Sequence, residues 1–153
     1  MAHEGMVHAL EGIRRLLRSD GVLIDIHPVV EAPLVRVELD GRVIFTESDP
    51  GYDYEEDLRQ AEAALDRIVE RGVYVAGPSH EFDSITYGSS VAELRDHFAE
   101  AGAYDDRPED VAVTMQKAQV YARADEAMRS HGERAVILMH ERGRMTRLTP
   151  LSS

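Results

Sequence analysis

Residues 9–28 read ALEGIRRLLRSDGVLIDIHP, and this stretch decides the fold. Met6, Leu10, Ile13 and Leu17 recur at helical spacing, so a helix is expected from about Gly5 to Arg18, with Ser19-Asp20-Gly21 as its exit. Val22 to Ile26, VLIDI, has the short length and β-branched content of a strand covered on both faces, closed by His27-Pro28. A helix followed at once by a buried strand is the unit of an α/β layer.

Working outward, Leu34 to Thr46 reads as a hairpin with Asp40-Gly41 at its tip. A two-residue turn would set Leu39 opposite Arg42. A three-residue loop, Asp40-Gly41-Arg42, aligns Val37 and Leu39 with Phe45 and Val43, and the hydrophobic pattern favours it. Leu58, Ala61, Leu65, Ile68 and Val69 define a second helix, with Asp53 and Glu56 as its start signals and Gly72 as its stop. The adjoining Tyr52-Asp53-Tyr54 link is read as an anchor and cap for this helix. Val73 to Val75 opens a strand, Gly77-Pro78 interrupts it, and His80 to Tyr87 resumes an alternating pattern with one wet face. Ser90 with Glu93 forms a capping box for a helix carrying Val91, Leu94 and Phe98, which ends at Gly102. Pro108, Glu109 and Asp110 open a longer helix to about Ser130. Arg134 to His140 and Met145 to Thr149 read as two strands of a second hairpin around Glu141-Arg142-Gly143-Arg144. The expected fold is therefore α/β: one domain over residues 1–153, a mixed sheet with flanking helices and antiparallel hairpins.

Composition narrows the function. The chain has 153 residues, 17 Lys and Arg against 29 Asp and Glu, and a formal charge of −12. That field repels phosphate backbones and anionic membranes, so neither nucleic acid nor membrane is an expected partner. Arg14, Arg15 and Arg18 share their helix with Glu4 and Glu11 and read as a solvated face. Without Cys, disulfides, thiolate catalysis and Cys-based zinc sites are excluded. No charged-then-apolar leader is visible and no apolar run approaches about 20 residues, so a cytoplasmic location is expected.

The helix before the first strand resembles the segment LxEIxRVLRPGG that precedes the fifth strand of class I S-adenosylmethionine-dependent methyltransferases, with Leu10, Ile13, Leu16, Leu17, Arg18 and Gly21 at matching positions. Glu81-Phe82-Asp83-Ser84-Ile85-Thr86-Tyr87 with the helix start at Ser90 to Leu94 resembles the sixth strand and following helix of that family, and Arg147-Leu148-Thr149-Pro150 the end of its last strand. The resemblance covers the carboxyl-terminal half of the family fold and implies a truncated Rossmann-like domain. That family grips its cofactor through a GxGxG-type loop, and no Gly-x-Gly occurs in these residues. Hence no cofactor-binding residue is carried over, no cofactor is expected on the chain alone, and S-adenosylmethionine is expected only if a partner supplies the missing half.

In open α/β sheets ligands sit outside the carboxyl ends of strands, which directs attention to His27 and Pro28. His27 is a candidate general base or substrate-orienting group, because an imidazole titrates near neutrality. Asp25 within the apolar run either faces inward and needs a partner, or lies at a wet sheet edge. Asp25 and His27 are the catalytic candidates; His27, Pro28 and His80 are the substrate-binding candidates. Seven histidines form no HExxH-like set, so His97 beside Asp96 and His140 beside Glu141 read as surface residues and no metal is expected. Met115 and Met128 read as core filler.

Three functions follow. A methyltransferase-like interaction module without autonomous methyl transfer is expected to form a homodimer, or bind a protein, that covers the apolar Val22–Ile26 edge. A substrate-side subunit of a split methyltransferase needs a partner carrying the Gly-rich half, and could take a small molecule. In the third reading the chain is a fragment of a longer one, or an unrelated small-ligand domain.

Overall fold

The computed structural model describes residues 2–102, 107–108 and 110–151, so the expected role of Glu109 in opening a helix lies outside the described residues. In chain order the elements are α1 (Ala2–Leu16), β1 (Leu23–Pro28), β2 (Leu34–Leu39), β3 (Arg42–Ser48), α2 (Glu55–Glu70), β4 (Tyr74–Gly88), α3 (Val91–Ala101), α4 (Val111–His131) and β5 (Ala135–Pro150). The chain forms two compact units, residues 1–31, 54–82 and 142–153 in the first and 32–53 with 83–141 in the second. Each of β4 and β5 contributes one half to each unit.

In the first unit β1 pairs antiparallel with β5 from Leu23↔Leu148 to Pro28↔Gly143. β4 pairs with β5 as well. The Ser79 and Thr146 hydroxyls hydrogen-bond and the Phe82 ring lies against Gly143, so numbers rise on one strand as they fall on the other. Helices α1 and α2 cover one side, burying Val7, Leu10, Ala64, Ile68, Tyr74 and Leu148. The Tyr74 hydroxyl, fully buried, donates to the Leu10 carbonyl at 3.0 Å and so satisfies its polar tip inside that core. At the end of α2, Gly72 at φ +70° donates to the Val69 carbonyl and Val73 to the Ile68 carbonyl, the paired bonds of a Schellman stop.

The second unit buries Val35 and Val37 of β2 and Ala135, Ile137 and Met139 of β5 against Val91 and Leu94 of α3 and Val120, Tyr121, Ala124 and Met128 of α4. Strand β2 pairs antiparallel with β3 on one side and β5 on the other.

Several expectations are corrected. Every sheet pairing with a defined register is antiparallel, so the sheet is not mixed. Strand β1 is not covered on both faces: Leu23, Asp25 and His27 are shielded while Ile24 and Ile26 are exposed. The β2–β3 turn has two residues, Asp40 and Gly41, both at positive φ, with Leu39 opposite Arg42. A bulge between Val37 and Glu38 adds one residue to β3 and restores the apolar pair Val37↔Phe45. Turn chemistry and hydrophobic register are thus both satisfied. No side chain caps α2 at Tyr54, and Asp53 instead faces Arg107 at 3.6 Å. The Ser90 hydroxyl does accept from the Glu93 N–H, while the Glu93 carboxylate accepts from the Ser89 N–H and hydroxyl. Helix α4 begins at Val111 with Asp110 as its cap, after Pro108. Met115 is exposed; Met128 is core.

The two interrupted strands are also continuous. Pro78 is tolerated because, among the described residues, β4 pairs only with β5 and presents an edge that needs no donor there. Gly143 is not a hairpin turn: it lies within β5 under the Phe82 ring, where an added Cβ would come 2.5 Å from Phe82 Cζ. Glycine here permits close approach, not a reversal. Gly143→Ala is expected to cost about 1 kcal/mol or more by overpacking. In a Phe82→Ala background most of that cost disappears. A urea-denaturation double-mutant cycle measures the coupling, and equal losses in both backgrounds would contradict the contact.

Candidate functional site

In an antiparallel pair, alternate residues share a face, so β1 presents Asp25 and His27 beside their partners Thr146 and Arg144 on the side covered by α2. Helix α2 answers with Glu62, Leu65, Asp66 and Val69, spaced i, i+3, i+4 and i+7 on one face. Between them lies a cavity of 320 Å³, to which β4 adds Gly77 and Ser79 and β5 adds Leu148. At Gly77 a Cβ would lie 3.2 Å from the Arg147 carbonyl oxygen, tighter than most side chains adopt.

Asp25 faces inward, which settles its alternatives. Its Oδ2 lies 2.5 Å from His27 Nδ1, and both side chains are largely shielded, at 15% and 12% exposure. With the carboxylate ionised, the proton of a neutral imidazole sits on Nδ1, and Nε2 presents its lone pair. Nε2 is buried and has no hydrogen-bond partner among the described residues; Glu62 Oε1 stands 3.8 Å away. An unmatched buried polar atom costs about 1–3 kcal/mol, so this one marks a position where a donor would be gained.

Glu62 begins an ion-pair chain. Its Oε1 accepts from Arg144 Nη1 at 3.0 Å, Arg144 Nη2 donates to Glu81 Oε1 at 3.1 Å, and the other Glu81 oxygen accepts from Arg142, which also reaches Glu31 at 3.4 Å. Both guanidinium groups are occupied by carboxylates. Hydrogen bonding to Glu81 is the main influence raising the Arg144 pKa, so its charge is secure.

Of the sequence candidates, the structure brings Asp25 and His27 together, and His27 lines the cavity. Pro28 lies on the exposed face of β1 and His80 is exposed on β4; neither lines the cavity. Glu62, Asp66, Ser79, Arg144 and Thr146 were not singled out by sequence. Arg144 was hidden by reading Gly143 as a turn, and the two helix acids by their resemblance to an ordinary solvated face. The Leu65 and Val69 spacing beside them is the only signal that those acids lie on a covered side.

Among the described residues no turn matches the cofactor loop of the resembled family. The described glycines with positive φ are Gly41 at the β2–β3 tip, Gly72 after α2 and Gly132 after α4, so none turns a strand into a helix N-terminus. No group of three or more His, Cys, Asp or Glu suited to a metal ion occurs among the described residues. Nor is any described helix long and apolar enough to cross a membrane. Comparison with protein-family models, curated proteins and solved structures gives no match.

In the second unit, His140 is more sheltered than expected, with 14% of its side chain exposed and Nε2 2.8 Å from Asp83 Oδ1. Burial, helped by the Asp49 charge, pushes the Tyr121 phenol up to about 12. The same two causes, burial first, raise the Glu141 carboxyl above its ordinary 4.5. Folded Glu141 therefore keeps its proton where the unfolded chain has lost it, so its stabilising contribution is present in acid and is lost as pH rises through the folded value. Glu141→Gln is expected to melt above the parent at about pH 7, with the advantage vanishing near pH 4. Thermal melts across that range test this; an advantage independent of pH would contradict the burial effect.

Proposed function

We propose that this chain is a methyltransferase-like interaction module that transfers no methyl group on its own and works as a homodimer. The observation that carries the reading is the exposed face of β1 and β5 in the first unit. There Ile24, Ile26 and Met145 are open to solvent, at 44%, 58% and 39%, beside Phe82 at 38%. Strand β1 pairs only with β5, so its outer edge has no strand partner among the described residues. An apolar strand with a free edge is a template for another strand, and soluble proteins cover such edges. The out-facing positions of the pair, Ile24, Ile26, Pro28, Gly143, Met145 and Arg147, include no acid in a chain of charge −12. This is the one part of the strand pair where a second copy meets little repulsion. A two-fold axis beside β1 would join two antiparallel strands with the same patch on each side.

The methyltransferase likeness rests on the sequence resemblance; the element order runs as the resemblance implies through the two helices and then closes on one long strand in place of the expected hairpin. A second reading, the substrate side of a split enzyme, is favoured by the Asp25–His27 pair at the cavity. It requires a second polypeptide with the Gly-rich half, and methyl transfer only in the mixture.

Light scattering after gel filtration should give twice the mass of one chain. Because Ile26 is exposed, Ile26→Lys should preserve the circular dichroism spectrum and return the mass to that of one chain. A monomeric parent, or methyl transfer from S-adenosylmethionine by the chain alone, would overturn the proposal.

A further inference from the structure

The cavity beside His27 has its own chemistry, independent of how the chain assembles. We propose that it is a binding site for a small aliphatic amine, held as its ammonium form. The polar atoms nearest the imidazole accept rather than donate. Asp25 lies against His27 Nδ1, and Nε2 on the other side of the ring is buried with no hydrogen-bond partner among the described residues. Glu62 Oε1 lies only 3.8 Å from that nitrogen, too far for a hydrogen bond and close enough for one nitrogen bearing several hydrogens to serve both. Asp66 adds a third acceptor where the cavity opens.

The cavity's donors are engaged with one another and with acids, leaving one hydroxyl proton of the Ser79–Thr146 pair to spare. Arg144 is shared between Glu62 and Glu81, and the Ser79 and Thr146 hydroxyls bond each other. Counting formal charges, Asp25, Glu62, Asp66 and Glu81 outnumber Arg144 and the Arg142 that also pairs with Glu81, so an anion would enter against the field and a cation with it. Leu65, Val69 and Leu148 provide an apolar wall for a short alkyl chain. At 320 Å³ the space is at the small end of ligand pockets, which run from roughly 300 to 1,000 Å³. Charge-assisted hydrogen bonds to the carboxylates would supply most of the selectivity. The competing arrangement is a protonated His27 that turns its own Nε2–H toward Glu62 and leaves no acceptor for a ligand.

The test follows the imidazole nitrogens by NMR in the full chain, with His27→Gln identifying the His27 signals. n-Butylammonium chloride should shift His27 Nε2 saturably, whereas sodium butyrate and sodium chloride should not. Asp66→Asn, at an exposed position that leaves the fold intact, should weaken the response by about tenfold, the loss of one charged hydrogen bond. Glu62→Gln should weaken it further. The proposal fails if butylammonium gives no saturable shift, if 1-butanol acts as strongly, or if butyrate binds. It also fails if His27 carries a proton on both nitrogens before any amine is added. None of these results depends on whether the chain is a dimer or takes part in methyl transfer.

Discussion

Strand β5 is the constraint on which the rest depends. Its backbone pairs with β2 over Ala135–His140 and with β1 over Gly143–Leu148, and β4 pairs with it too. Backbone pairing fixes facing: once Leu23 is set opposite Leu148, Asp25 falls beside Thr146 and His27 beside Arg144. A slip of one residue would bury Ile24 and Ile26 and turn Asp25 and His27 to solvent. That inverted pattern would suit the hydrophobic effect on β1 alone. It is avoided because Leu23 and Leu148 are needed in the core with Tyr74 and Ile68.

This trade has two consequences on opposite sides of the same strands. The covered side gains a carboxylate–imidazole pair, beside it the ion-pair chain of Glu62, Arg144, Glu81 and Arg142, and a cavity under α2. The uncovered side keeps isoleucines in water. Exposed β-branched residues on a free edge cost solubility unless something covers them, which ties the polar site to the need for a partner. Site and assembly surface are thus alternate residues of one six-residue strand.

Much of this was legible in the sequence where one local signal governed the outcome. The spacing of Leu10 and Ile13 placed α1, Gly72 ended α2, and Ser90 with Glu93 started α3. Asp40-Gly41 marked its turn, but the bulge that reconciles it with Val37 and Phe45 depends on tertiary packing. Gly143 misled because glycine serves both reversals and close contacts, and only the Phe82 ring distinguishes them. Val22 to Ile26 misled because an apolar run shows its composition and not which of its faces is covered. His27 and Asp25 were visible as residues out of place in an apolar strand. Their cavity partners were not, since Glu62 and Asp66 look like any helix acids until the sheet lies beneath them.

Hydrogen exchange in the peptide spanning Val22 to Pro28, followed at several protein concentrations, tests the central claim most directly. If a second copy pairs with β1, its outer-edge amides become slower to exchange as concentration rises, while the amides bonded to β5 stay slow throughout. Fast outer-edge exchange that does not change with concentration would mean that the edge stands open in solution, and the account of a homodimeric module would be wrong.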